Sequence, residues 1–298
     1  MKELQGKTAF ITGGAGGLGL SMAKAFGREG MKVMIADIDE GAMSKALAEL
    51  RDMQIRAEGV QCDVADRERV QSAALKTVET FGKVHVVCNN AGVASAGLLG
   101  EASDDDWEWI IDVNLKSVIY GVESFLPLIS SHGEGGHFVN TASIAGMIAS
   151  PPGMEAYCAT KHAVVAMTEG WAQQLKPRGI GMSVLCPGFV QTRINESARV
   201  RQAKYANVGK ASGELKAATD HLVHSGIPVE PVGRRVVEGM KADELYIFTH
   251  SEMRKLVEMR FAGIMAGFDS SERSAALKSL PPRDIASLAA PTSGVGRK

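Results

Sequence analysis

At 298 residues with 45% hydrophobic side chains, the chain has material for one large α/β domain. Its 33 Lys and Arg balance 34 Asp and Glu, which excludes the broad basic field of a nucleic-acid or anionic-membrane binder. No apolar run reaches the roughly 20 residues of a membrane span, and the four cysteines, at 62, 88, 158 and 186, lack CxxC or metal-ligand spacing, so they read as buried free thiols of a cytoplasmic protein.

The first element is a β-favouring run, Thr8–Thr12, that ends in the turn Gly13-Gly14-Ala15-Gly16-Gly17-Leu18-Gly19. Leu20, Met22, Ala23, Ala25 and Phe26 then recur at helical spacing. Strand, glycine turn and helix in this order form a phosphate cradle: glycines let a pyrophosphate approach backbone, and the helix N-terminus offers free N–H groups. A second strand over 32–36 ends at Asp37, 18 residues beyond Gly19. A carboxylate there accepts from both hydroxyls of an adenosine ribose and repels a 2′-phosphate, and the turn holds no Lys or Arg, so the pattern points to NAD rather than NADP. A solvated acid among Asp37, Asp39 and Glu40 is the plainer alternative.

A helix near 41–52 and a strand over 55–61 lead to Asp63 and Val64, placed to meet an adenine amino group through a carboxylate and through backbone. An exposed strand-end acid is an equally simple reading of Asp63. The next helix, about 66–81, precedes Val84–Cys88, an apolar run suited to a strand covered on both faces. It ends in Asn89-Asn90-Ala91-Gly92, small and amide residues that let the chain turn beneath a cofactor. Residues 104–129 are helical in pattern, with Asn114 among core-like neighbours, where an amide either holds a water or opens the helix locally.

A strand over 137–141 ends near Ser143, and a helical pattern carrying Tyr157 and Lys161 runs to about Pro177. A sixth strand, 181–186, closes at Pro187-Gly188. The alternation predicts a doubly wound parallel sheet of about seven strands with helices on both faces, the Rossmann arrangement, and right-handed crossovers gather the strand C-termini on one crevice. Residues 189–228 interrupt the alternation and are placed to form a substrate lid. A helix near 230–241, a strand at 244–249 and a helix from Glu252 complete a domain over 1–269, and a Ser-, Ala- and Pro-rich tail, 270–298, is either flexible or packed on a partner subunit.

Tyr157 and Lys161 stand four apart and share a helical face. A phenol of pKa about 10 is a poor base at neutral pH; an ammonium roughly 5 Å away at an effective dielectric of about 20 lowers it by about two units. The seven histidines form no HExxH or comparable ligand cluster, so no catalytic metal is expected. Ile144, Met147, Ile148, Met154, Phe189 and Val190 are apolar and either line a substrate pocket or belong to the core.

These motifs resemble the short-chain dehydrogenase/reductase family over roughly residues 5–250. Thr12-Gly13 with Gly17 and Gly19 is similar to that family's TGxxxGxG turn, and Asn89-Asn90-Ala91-Gly92 to its NNAG motif. Asn114, Ser143, Tyr157 and Lys161 match its catalytic tetrad, and Pro187-Gly188 with Thr192 the segment that meets the nicotinamide carboxamide; Thr160 departs from the Ser common there. The resemblance implies NAD held by Gly13, Gly17, Leu18, Gly19, Asp37, Asp63, Val64, Asn90, Ala91, Gly92, Tyr157, Lys161, Pro187, Gly188, Val190 and Thr192. It implies a small-molecule secondary alcohol or ketone as substrate, with neither nucleic acid nor membrane as partner, and a homodimer or homotetramer. Arg193, Ala203–Tyr205 and Tyr246–His250 are also similar to a longer bacterial subgroup, some of whose members oxidise benzylic alcohols in lignin-derived aryl ethers. An NADPH-dependent ketoreductase and a non-catalytic NAD sensor stand as the alternatives.

Overall fold

The computed structural model describes residues 1–94, 97–209 and 213–280. Seven strands, β1 (Thr8–Thr12), β2 (Lys32–Asp37), β3 (Ala57–Gln61), β4 (Val86–Asn89), β5 (Gly136–Thr141), β6 (Ile180–Cys186) and β7 (Tyr246–Phe248), form one sheet in the order β3-β2-β1-β4-β5-β6-β7. Every pairing is parallel. The order runs outward from β1 in one direction and from β4 in the other, so the sheet switches direction between these two neighbours. In open α/β sheets the crevice for a ligand lies at that switch, outside the strand C-termini.

The apolar strands are buried because successive side chains go to opposite faces, and both faces are covered. Ala9 and Ile11 of β1 and Val33 and Ile35 of β2 point into a core with Met22 and Phe26 of α1 (Gly17–Arg28), Leu50 of α2 (Glu40–Asp52), and Val236 and Met240 of α8 (Glu230–Lys241). Phe10 and Met34 point the other way, against α3 (Arg67–Phe81) and α5 (Ser117–His132), where Phe10 and Phe125 place their ring centroids 4.4 Å apart. Burial of each such large side chain contributes about 1.5–3 kcal/mol. Ser21 ties α1 to the start of α8, donating to the Val229 carbonyl at 2.8 Å and accepting from the Gly233 N–H at 3.1 Å.

The single helix expected over 104–129 is two helices joined by a wider turn. The α4 helix (Asp104–Ile111) opens with a capping box between Ser103 and Asp106, a π-helical turn spans Asp112–Lys116 around Asn114, and α5 follows. The helix bearing Tyr157 and Lys161 is α6 (Glu155–Leu175), preceded by a 3-10 turn at Ile144–Gly146. Between β6 and α8 the chain makes 3-10 turns at Ile194–Val200 and Ala203–Tyr205 and the helix α7 (Gly213–His224). All four cysteines are buried and free, as expected.

The chain divides into two compact units, Met1–Arg254 and Lys255–Lys298. The second is described as α9 (Arg254–Glu272), none of whose residues is buried, and the turns that follow it to Leu280. The tail beyond 280 and residues 210–212 of the expected lid lie outside the described residues.

Candidate active site

The glycine turn after β1 and the amide turn after β4 meet at the switch point. Thr12 Oγ1 accepts from the N–H groups of Asn90 at 2.9 Å and Ala91 at 3.0 Å, while Asn90 Nδ2 donates back to the Thr12 carbonyl at 2.9 Å. Thr141 Oγ1 donates to Asn90 Oδ1 at 3.3 Å, which extends the net to β5. Gly13 adopts φ +63°, and a Cβ on Gly19 would stand 2.1 Å from the Gly13 carbonyl oxygen, so backbone folds on backbone here and only glycine fits.

The start of α1 fits a phosphate. Its N-cap is Gly16, with no side-chain cap and no acid in the first turn, so no side chain accepts from the first N–H groups or opposes an anion. A Cβ on Gly16 would meet open space. Beside this turn the Asp37 carboxylate is fixed by two backbone donors, Ala15 N–H at 3.0 Å and Asp39 N–H at 3.1 Å. Together, the free helix end, the open glycine and the fixed carboxylate fit the pyrophosphate and adenosine ribose of a dinucleotide. Leu18 is half-buried against the core, and Val64 is buried, so Val64 can offer a cofactor main chain only. The same holds for Val190, a core side chain bridged to Ile227.

The four candidate catalytic residues come together from α6, the π turn and the end of β5. Asn114 is fully buried; its Oδ1 accepts from Val93 N–H at 2.8 Å and its Nδ2 donates to the Val93 carbonyl at 2.9 Å. The amide thus opens the helix locally. Gly92 lies against this pair: a Cβ there would stand 3.3 Å from Asn114 Oδ1 and 3.5 Å from Lys161 Nζ. Lys161 is buried and donates to the Thr141 carbonyl at 2.9 Å. Ser143 Oγ accepts from Ala145 N–H at 3.1 Å, approaches the Pro187 carbonyl at 3.5 Å and lies near enough to the Tyr157 phenol to favour its ionised form.

The electrostatics correct one expectation. Burial pushes the Tyr157 phenol up to about 12, against the pull of Ser143. Burial likewise brings Lys161 down to about 8, with the Cys186 thiol acting the other way. The ammonium, bound at Thr141, is 5.6 Å from the centre of the tyrosine ring, and its attraction for a phenolate does not overcome the desolvation of the phenol. In the cofactor-free protein the Tyr157 phenol therefore stands above its ordinary value.

Several contacts at the site, and the residues Arg199 and Gln202, were missed in the sequence. Asp63 accepts not only from Ala65 N–H at 2.9 Å but from Gln202 Nε2 at 2.8 Å, and Arg199 stands 3.2 Å from Asp39. The glycine turn holds no cation, yet tertiary structure brings one beside β2. His250 accepts from Gly188 N–H at 3.2 Å and bonds the Phe189 carbonyl at 3.1 Å, fixing the turn after β6. Of the apolar pocket candidates, Ile144 and Val190 are core, Met147, Ile148 and Met154 are half-buried, and Phe189 is exposed. The sequence also gave no sign of a group formed by His85, His132 and Glu134, whose ligand atoms lie within 4.8 Å of one another at the opposite edge of the sheet. There, His85 Nδ1 accepts from Thr8 N–H and His132 Nε2 meets the Val84 carbonyl, so both rings are committed to backbone.

Comparison with known proteins agrees with this geometry. The family model for short chain dehydrogenase matches residues 7–203. The chain is 38% identical to a C alpha-dehydrogenase of a Sphingobium species over 89% of this chain and 87% of that one. It is 34% identical to a CLA biosynthesis dehydrogenase/reductase of Lactiplantibacillus plantarum, over 89% and 95% respectively. A short chain dehydrogenase/reductase from Burkholderia phymatum, solved in complex with NAD, superimposes with a TM-score of 0.87 at 38% identity, covering 90% of this chain and 97% of that one.

Proposed function

Because the chain belongs to the short-chain dehydrogenase/reductase family, and is an oxidoreductase of that fold, we propose that it interconverts a secondary alcohol and its ketone with NAD, acting on a hydrophobic or aromatic, benzylic alcohol. The observation that carries the reading is the junction of buried Ser143 and Lys161 and half-buried Tyr157 with the open phosphate cradle of α1 on one edge of the sheet. The preference for NAD rests on Asp37, whose fixed carboxylate repels a 2′-phosphate. The benzylic preference rests on the relative named a C alpha-dehydrogenase and on the apolar side chains of Ile148, Met154 and Phe189.

When bound, NAD supplies the acceptor for the two electrons that leave the alcohol carbon, and its ring carries a positive charge. Tyr157 takes the hydroxyl proton of the alcohol onto its phenolate oxygen. Ser143 hydrogen-bonds the same substrate oxygen and holds it against the phenol. Lys161, with one donor spent on Thr141, has two left for a cofactor ribose and for a proton relay. Asn114 keeps the turn at Val93 open and steadies the chain that carries the relay outward.

The reading is tested by steady-state kinetics with NAD and NADP on benzylic, steroid and aliphatic secondary alcohols, for wild type and Tyr157→Phe. NAD-linked oxidation of a benzylic alcohol, lost in Tyr157→Phe while NADH binding persists, is the expected result. Strong preference for NADPH and ketone reduction would overturn the roles given to Asp37 and to the direction of the reaction.

A further inference from the structure

The segment after β6 leaves its own strand and visits the ends of four others. Thr192 lies against the glycine turn after β1, 3.4 Å from a Cβ on Gly17. Ser197 Oγ accepts from Ala94 N–H, after β4, at 3.0 Å. Arg199 reaches Asp39, after β2, at 3.2 Å, and Gln202 reaches Asp63, after β3, at 2.8 Å. Since the sheet order is β3-β2-β1-β4-β5-β6-β7, this path crosses the C-terminal edge from one half to the other, directly above the dinucleotide crevice.

Its two stretches are held very differently. The far end is bolted to α4 and the π turn by buried, charge-assisted bonds: Arg201 to Asp106 at 2.5 Å, with side chains only 10% and 8% exposed, and Tyr205 OH to Asp112 at 2.6 Å. Gln202 belongs to this anchor. Trp109 Nε1 donates to its Oε1 at 2.9 Å, which forces its amide nitrogen toward Asp63 Oδ1. Among the described residues, Asp63 Oδ2 has no hydrogen-bond partner, so it remains open to an adenine amino group. The stretch over 194–200 is tied by neutral or exposed groups: buried Ser197 to Ala94, Asn195 to Asp220 at 2.7 Å, and Arg199 to Asp39. Arg199 and Asp39 are each 37% exposed, and an ion pair so exposed is weak and screened by salt.

We infer that residues 194–209 form a strap over the bound dinucleotide, hinged on the α4 anchor, and that Gln202 and Tyr205 are positioning residues that set how long the cofactor stays. This rests on the dinucleotide reading above. Adenosine is thereby enclosed between Asp37, Asp63 and the strap, and exchange requires the 194–200 stretch to lift while the anchor holds. The lid expected from the sequence to face the substrate thus serves first as a cover for the cofactor.

The test is NADH release by stopped-flow fluorescence, with dissociation constants for ADP-ribose and for reduced nicotinamide mononucleotide. In Gln202→Ala and Tyr205→Phe, NADH release is expected to quicken by about fivefold or more, the scale of a lost charge-assisted hydrogen bond. ADP-ribose should weaken by a similar factor, while the mononucleotide changes less than about twofold. Arg199→Ala, a surface change with little risk to folding, should abolish the salt dependence of NADH release. In the wild-type protein, ADP-ribose should slow amide hydrogen exchange over residues 196–205. Release rates within twofold of wild type in all three variants, or ADP-ribose protection confined to the glycine turn, would overturn the strap. If NADPH proves the tighter ligand, the reading of Asp37 fails, and the same measurements made with NADPH decide the strap; binding of neither dinucleotide overturns both.

Discussion

Asn114 and Val93 close a two-point clasp, with Val93 N–H donating to Oδ1 at 2.8 Å and the Val93 carbonyl accepting from Nδ2 at 2.9 Å. Both residues are buried, so removing the amide orphans two main-chain groups that water does not reach. Asn114→Ala is expected to cost about 2–4 kcal/mol, or roughly 4–12 °C in Tm, besides its effect on turnover. Thermal unfolding within a degree of wild type would show that the clasp contributes no stability.

Lys161 carries its charge into the core at a cost. Its pKa falls from 10.5 to about 8 because burial disfavours the ammonium, which corresponds to about 3 kcal/mol at neutral pH. Between pH 8 and 10.5 the unfolded chain binds the extra proton, so this cost is full below pH 8 and fades as pH rises toward 10.5. Lys161→Met should therefore stabilise the cofactor-free protein at pH 7 by about 2 kcal/mol, allowing for the Thr141 carbonyl left without its donor. The gap in Tm between variant and wild type should shrink at pH 9.5; a variant less stable than wild type at pH 7 contradicts this account.

The Tyr157 phenol, raised to about 12 by burial, stays protonated through the physiological range in the cofactor-free protein. A positive nicotinamide ring adds a second charge to that of Lys161, so NAD should lower the phenol by about two units, the effect of one charge near 5 Å. ADP-ribose, which lacks that ring, should leave it in place. Ultraviolet difference titration of wild type against Tyr157→Phe reads this directly, and equal effects of the two ligands would remove the cofactor from the account.

Two glycines in the same turn should fail in different ways. Gly19→Ala places a methyl group 2.1 Å from the Gly13 carbonyl oxygen and should unfold the turn, at a cost of several kcal/mol, about 3 or more. Gly16→Ala meets open space in an extended backbone, so stability should change by less than about 1 kcal/mol. Its methyl group nevertheless fills the phosphate cradle, and NADH affinity should fall about tenfold. Calorimetry and NADH titration on both variants separate the two effects.

The sequence alone determined the sheet, because alternation of apolar strands and helices leaves few ways to cover both faces of β1, β4 and β5. It also singled out Gly13 to Gly19, Asp37, Ser143, Tyr157 and Lys161 as candidates, since each stands at a strand end or on one helical face and such positions are readable from spacing. What spacing could not reveal were relations between residues far apart in the chain. Arg199 beside Asp39 and Gln202 on Asp63 join residues more than a hundred positions distant. In the sequence Arg199 and Gln202 read only as part of an insertion placed to form a substrate lid. The protonation of the tyrosine was likewise decided by the tertiary structure. Coulomb attraction between Tyr157 and Lys161 can be estimated from their spacing on a helix, but desolvation depends on everything packed around them. In this fold desolvation is the larger effect, and it leaves the pair waiting for a third charge.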